Sequence, residues 1–65
     1  MCLSTVYVYK VNNTEKTKLC EYISKVEERG GEYVFTDIMG EETAVRAKLR
    51  AIDLVKNEIL LEDAQ

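Results

Sequence analysis

The stretch ISKVEERGGEYVFTDIM, residues 23–39, decides the fold. At its centre stands Gly30-Gly31, and two glycines accept positive φ without steric cost, which is what a two-residue hairpin turn needs. Downstream the chain alternates, with Tyr33, Phe35 and Asp37 opposite Val34, Thr36 and Ile38. That is the period of a strand. A strand leaving a tight turn wants an antiparallel strand before it. Residues 17–29 are ambiguous in isolation, because Leu19, Tyr22, Ile23 and Val26 also match a helical stripe. The turn therefore tips residues 23–28 toward strand.

Toward the N-terminus, MCLSTVYVYKV is rich in the strand formers Val, Thr and Tyr. Val6 and Val8 fall on one face with Cys2 and Ser4. Leu3, Thr5, Tyr7, Tyr9 and Val11 fall on the other. Both faces are partly apolar, which suits a central strand or one held between a core and a partner. Asn12-Asn13 follows as a turn.

Toward the C-terminus the signals are mixed. Residues 42–49 (ETAVRAKL) have high helix propensity, which leaves one short helix there open beside a loop or strand. Residues 51–55 and 58–62 form a hairpin across Lys56-Asn57, with Ile52 and Leu54 on one arm matched to Ile59 and Leu61 on the other. Asn tolerates the left-handed conformation that such a turn requires. Turns at Asn12-Asn13, Gly30-Gly31, Met39-Gly40 and Lys56-Asn57 are spaced as in a small antiparallel β domain. The expectation is one domain, residues 1–65, mainly β. It is a five- or six-stranded antiparallel barrel or sandwich, with room for at most one short helix over 42–49. It is expected to be a homodimer, because a 65-residue chain buries only roughly 60% of its unfolded surface and gains stability from a partner.

Composition narrows the chemistry. The chain has no His, no Pro, no Trp and two Cys, with 12 acidic against 9 basic side chains and a net charge of −3. Without His there is no His general base, no His-rich zinc site and no Ser-His-Asp triad. Two Cys can build neither a Cys-only zinc site nor a secreted disulfide scaffold. There is no apolar run of membrane-spanning length and no basic-then-apolar leader. The acidic balance disfavours nucleic acid. No catalytic constellation is present. A soluble, cytoplasmic, non-enzymatic domain with no membrane partner is expected.

Cys2 is the most informative residue. The α-amine of Met1, the peptide nitrogen of Cys2 and the Cys2 thiol lie close together along the chain. They can close fused chelate rings in one plane, and a tetragonal N,S field suits Ni(II) or Cu(II). The amine and the thiol must lose protons, so affinity rises with pH. One terminus fills too few positions, whereas a two-fold dimer can share one metal between two Cys2 termini. Spacing alone leaves open that Cys2 is simply a small apolar residue at a strand start.

Met1-Cys2, Gly30-Gly31, Glu41-Glu42 and Ile52-Asp53-Leu54 stand in an order that runs along nearly the whole chain. In these residues and in its overall pattern the chain resembles the CooT family. The resemblance implies a homodimeric β fold that binds nickel through the N-terminal Cys, here Cys2. It implies a metallochaperone or maturation role toward a nickel enzyme such as carbon monoxide dehydrogenase, with that enzyme or its maturation factors as client. Copper or zinc can occupy the same donors in vitro. Relatives are also labelled RNA-binding. Cys20 departs from the family pattern. It is read as a buried small residue, with an extra soft ligand or a disulfide to Cys2 as alternatives.

Two other functions stay open. Arg46, Lys48 and Arg50 recur at every second residue, and on a strand they form a basic stripe. With Tyr7, Tyr9, Tyr33 and Phe35 as stacking platforms this makes an RNA-binding surface. Otherwise the chain is a ligand-free interaction domain. Asp37, Glu41 and Glu42 match no cation-binding loop and read as solvated turn carboxylates.

Overall fold

Gly30 and Gly31 adopt φ of +56° and +86°, and the hairpin they form is the centre of the architecture. The computed structural model describes residues 2–10 and 14–63, so Met1 and the Asn12-Asn13 turn lie outside the described residues. The hairpin joins β2 (Lys16–Arg29) to β3 (Glu32–Asp37), with Arg29 opposite Glu32 as the closing pair. The other strands are β1 (Ser4–Tyr9), β4 (Glu42–Val45), β5 (Ala47–Asp53) and β6 (Glu58–Asp63). All six lie in one sheet, in the order β4-β3-β2-β1-β6-β5. Four of the neighbouring pairs are antiparallel, and β1 with β6 is parallel.

The strands β4 and β5 are the two edges of this sheet, yet only Arg46 separates them in sequence. In a flat sheet of six strands the edges would stand roughly 24 Å apart. Residues two apart in a chain reach at most about 7 Å. The sheet must therefore curl until its edges meet at one corner, and it forms a half-barrel. β2 supplies the bend. Its first half pairs with β1 and its second half with β3. Between them the register slips, because Cys20 faces Val6 while Ile23 faces Ser4, and Tyr22 adopts φ 59°. A slip in the pairing with β3 leaves Ser24 extra, and its hydroxyl donates to the Thr36 carbonyl at 3.3 Å. Bulges of this kind bend a strand and sharpen its twist.

Inside the curl lie Val6, Ile23, Phe35, Ile59 and Leu61, with Val8, Cys20, Tyr33, Val45 and Ala47 packed against them. Val34, the remaining buried apolar residue, is not part of this cluster and sits on the outer face between Glu27 and Ala44. Arg29 Nη2 spans that strand, reaching Glu27 Oε1 at 2.6 Å and Glu42 Oε2 at 3.1 Å. The bridge lowers the Glu27 pKa, first by its hydrogen bond from Arg29 and then by the charge.

One open reading is decided here and one expectation is corrected. Residues 42–49 contain no helix. They form β4 and the start of β5, because Thr43 and Val45 pair with Phe35 and Tyr33 while Leu49 pairs with Leu61. Long-range pairing outweighs local propensity, which is a weak prior. The terminal hairpin exists, but its register is Ile52 to Ile59 and Leu49 to Leu61. Leu54 belongs to the turn and is 79% exposed.

A candidate metal-binding terminus

β1 is central in its half of the sheet, and both of its neighbours hold its first residues. Ser4 pairs with Ile23 of β2. The Thr5 amide donates to the carbonyl of Asn57 at 2.9 Å, after which the parallel ladder runs from Thr5–Glu58 to Tyr9–Glu62. The chain before Ser4 leaves the sheet beside the β5–β6 turn, and Cys2 lies there exposed, with a free thiol.

That turn, residues 54–57, is firmly built. Asp53 Oδ1 accepts from the Val55 and Lys56 amides, each at 3.0 Å. Asn57 takes the left-handed conformation, φ 57°, as the Asn in the sequence predicts. Leu54 and Val55 are displayed to water on this turn, the latter 92% exposed. Sequence reasoning placed both on a strand arm. Asp53 was the available signal, because Asp commonly starts a turn by accepting amides two residues on.

Cys20 does not join Cys2. It faces inward opposite Val6 of β1, whereas Cys2 is exposed ahead of that strand. It is free and half-buried. Burial raises its thiol pKa, the Asp37 charge adds to the rise, and a hydrogen bond with Thr43 opposes it. This is the environment of an inert structural thiol. Met1, the other expected ligand, lies outside the described residues. Among the described residues no three His, Cys, Asp or Glu side chains cluster to hold a metal ion.

The acidic turn is explained by the backbone. Asp37 Oδ1 accepts from the Met39 and Glu41 amides, each at 2.9 Å, and Glu42 is engaged by Arg29. The basic stripe is dispersed. Arg46 occupies the corner between β4 and β5 with its guanidinium over Gly31. Lys48 stands opposite Glu62. Arg50 falls at a register slip in β5 and stacks its guanidinium carbon 4.2 Å from the centre of the Tyr9 ring. Lys16 likewise covers Tyr7 at 4.4 Å while pairing with Glu58 at 3.6 Å. Both tyrosine rings already carry a cation. Tyr33 and Phe35 line the core side. No helix among the described residues is long and apolar enough to cross a membrane.

The fold has a solved counterpart. A crystal structure of a protein assigned as CooT from Carboxydothermus hydrogenoformans superposes with a TM-score of 0.86, covering 98% of this chain and 100% of that one at 23% sequence identity. No curated protein sequence matches the chain. The model of one family, described as CO dehydrogenase accessory protein CooT, matches residues 1–62. With nearly its whole length inside that match, this chain belongs to the CooT family.

Proposed function

We propose that this protein is a nickel-binding maturation accessory of carbon monoxide dehydrogenase, carrying Ni(II) as cargo on the Cys2 thiolate. The supporting observation is the exposed Cys2 thiol at the start of a strand held on both sides. A carrier must let a client reach its metal, and an exposed terminus does so. The α-amine of Met1 and the peptide nitrogen of Cys2 complete a planar donor set with the sulfur, a geometry that suits Ni(II). One terminus leaves positions open, and in a homodimer a second Cys2 terminus fills them. The chain works in the cytoplasm as a carrier and not as a catalyst.

The test is nickel titration of wild type, Cys2→Ser and Cys20→Ser, followed by thiolate-to-nickel charge-transfer absorption. The expected result is loss of the band and of tight binding in Cys2→Ser, with Cys20→Ser unchanged. Identical stoichiometry and spectra for wild type and Cys2→Ser would overturn the proposal. Copper competes strongly on general affinity grounds, so the titration is read by its Cys2 dependence.

A further inference from the structure

The cations of β2 are all paired. Among the described residues the ion pairs are Lys16–Glu58, Lys18–Glu21, Lys25–Glu27 and those of Arg29 with Glu27 and Glu42. Arg46, Lys48 and Arg50 close none of them, in a chain with 12 acidic against 9 basic side chains. These three do not gather into one patch. They do lie along β5 or at its head, and β5 is a free edge of the sheet. Leu49 and Ile52 stand opposite the buried Leu61 and Ile59 and so belong to the core face, yet they are 43% and 50% exposed. Lys48 and Arg50 lie on the outer face, the one opposite Glu62 and the other over the Tyr9 ring. The edge therefore presents a row of unpaired backbone groups, with apolar side chains to one side and unneutralised cations to the other.

Edge cations and bulges are devices that keep like edges apart. β5 has both, since its register slips between Leu49 and Ala51. A second copy laid against β5 would set cations against cations, and like charges across a strand pair repel. The same charges attract a strand that brings carboxylates. We infer that the β5 edge receives an extended, acidic segment of a partner protein, in which carboxylates alternate with apolar residues. Added as a further strand, such a segment takes main-chain hydrogen bonds from β5, covers Leu49 and Ile52 with its apolar side chains, and lays its carboxylates beside Lys48 and Arg50. The Tyr9 ring holds the Arg50 guanidinium in place without cancelling its charge. The inference does not rest on the nickel proposal, because Cys2 takes no part in it.

The test uses the full chain and follows amide exchange by NMR. The probe is a strand-length synthetic peptide that alternates Glu with Val. One comparison peptide alternates Lys with Val, and another gathers the same Glu and Val residues into two blocks. The expected result is slower exchange along Ala47–Asp53 with the alternating Glu peptide alone. Lys48→Glu/Arg50→Glu should weaken that peptide about tenfold or more, and added salt should weaken it as well. Lys18→Glu/Lys25→Glu, the same change of charge on β2, should bind it like wild type. Circular dichroism identifies a variant that has unfolded, and Lys48→Gln/Arg50→Gln then decides, with a loss in the same direction. No protection of β5 by the alternating Glu peptide overturns the inference. So does equal binding of the block peptide, or an affinity that folded β5 variants leave unchanged. Protection of β5 that grows with protein concentration in the absence of peptide assigns the edge to a second copy. Displacement of the peptide by a tighter-binding single-stranded RNA oligonucleotide assigns it to nucleic acid. Either result also overturns the inference.

Discussion

Arg46 lays its guanidinium across Gly31, so that a Cβ at residue 31 would stand 2.9 Å from Nη1. Arg46 is also the one residue between the two edges of the sheet. The contact therefore ties the β2–β3 turn to the corner where the half-barrel closes. Gly31→Ala has two costs. One is the positive φ, at roughly 1–2 kcal/mol for an L residue in the left-handed region. The other is displacement of the Arg46 side chain, a smaller cost because its end is flexible. Gly30 has open space around it, so Gly30→Ala carries the first cost alone. Urea unfolding should rank Gly31→Ala below Gly30→Ala in the native background. The gap should narrow in an Arg46→Ala background, leaving the part that comes from the wider φ of Gly31. A gap of unchanged size there would show that Arg46 contributes nothing to it.

Leu61 is fully buried, while its neighbour Leu60 faces the other side of the sheet and is half-buried. Leu61→Ala should cost about 2–5 kcal/mol. A domain of this size holds roughly that much stability in total. The variant should therefore lose its cooperative thermal transition, whereas Leu60→Ala should keep one at lower temperature. Equal melting of the two would contradict the inward orientation of Leu61.

The turns were legible because turn chemistry is local. Gly30-Gly31 and Asn57 sit at positive φ where their residue types allow it. The six-strand closure was not legible, because it depends on β1 lying parallel to β6 and on a one-residue link between sheet edges. Neither leaves a local pattern. Residues 42–49 carry helical residues into strands for the same reason. At the site, Cys2 was visible as a residue, but its neighbours were not. Ile23 reaches Ser4 through a bulge, and Asn57 reaches Thr5 from the far end of the chain.

Cys20 predicts an alkaline weakening of the fold. Its thiol pKa is raised by burial and by Asp37, so the folded state keeps a proton that the unfolded state gives up. Where the unfolded state binds fewer protons, stability falls as pH rises. The contribution is complete below the unfolded thiol value, about 8.5, and is lost as pH climbs through the raised folded value. Urea midpoints measured across this range should fall more steeply for wild type than for Cys20→Ala. Parallel slopes would show that Cys20 titrates alike in both states.

Arg50 and Tyr9 should be coupled. The guanidinium stands 4.2 Å from the ring centre, and it reaches β1 from β5 across β6. Such an exposed pair is worth about 0.5–1 kcal/mol. A double-mutant cycle of Tyr9→Ala and Arg50→Ala should return that coupling energy. An additive cycle would mean that the cation spends its time in water and leaves the ring open for other partners.

Asp53 should govern how firmly the Cys2 strand begins. Its Oδ1 accepts both the Val55 and Lys56 amides, and the turn so formed aims the Asn57 carbonyl at the Thr5 amide. Asp53→Ala removes both acceptor contacts, each worth about 0.5–1.5 kcal/mol. Asp53→Asn keeps an oxygen in the same place. Hydrogen exchange at the Thr5 amide should accelerate in Asp53→Ala and stay near wild type in Asp53→Asn. A loss of charge alone would make the two variants behave alike, so the pair separates geometry from electrostatics. If Thr5 exchanges at the wild-type rate in Asp53→Ala, the anchor of β1 lies in its pairing with β2, and the Ser4–Ile23 side then fixes the terminus.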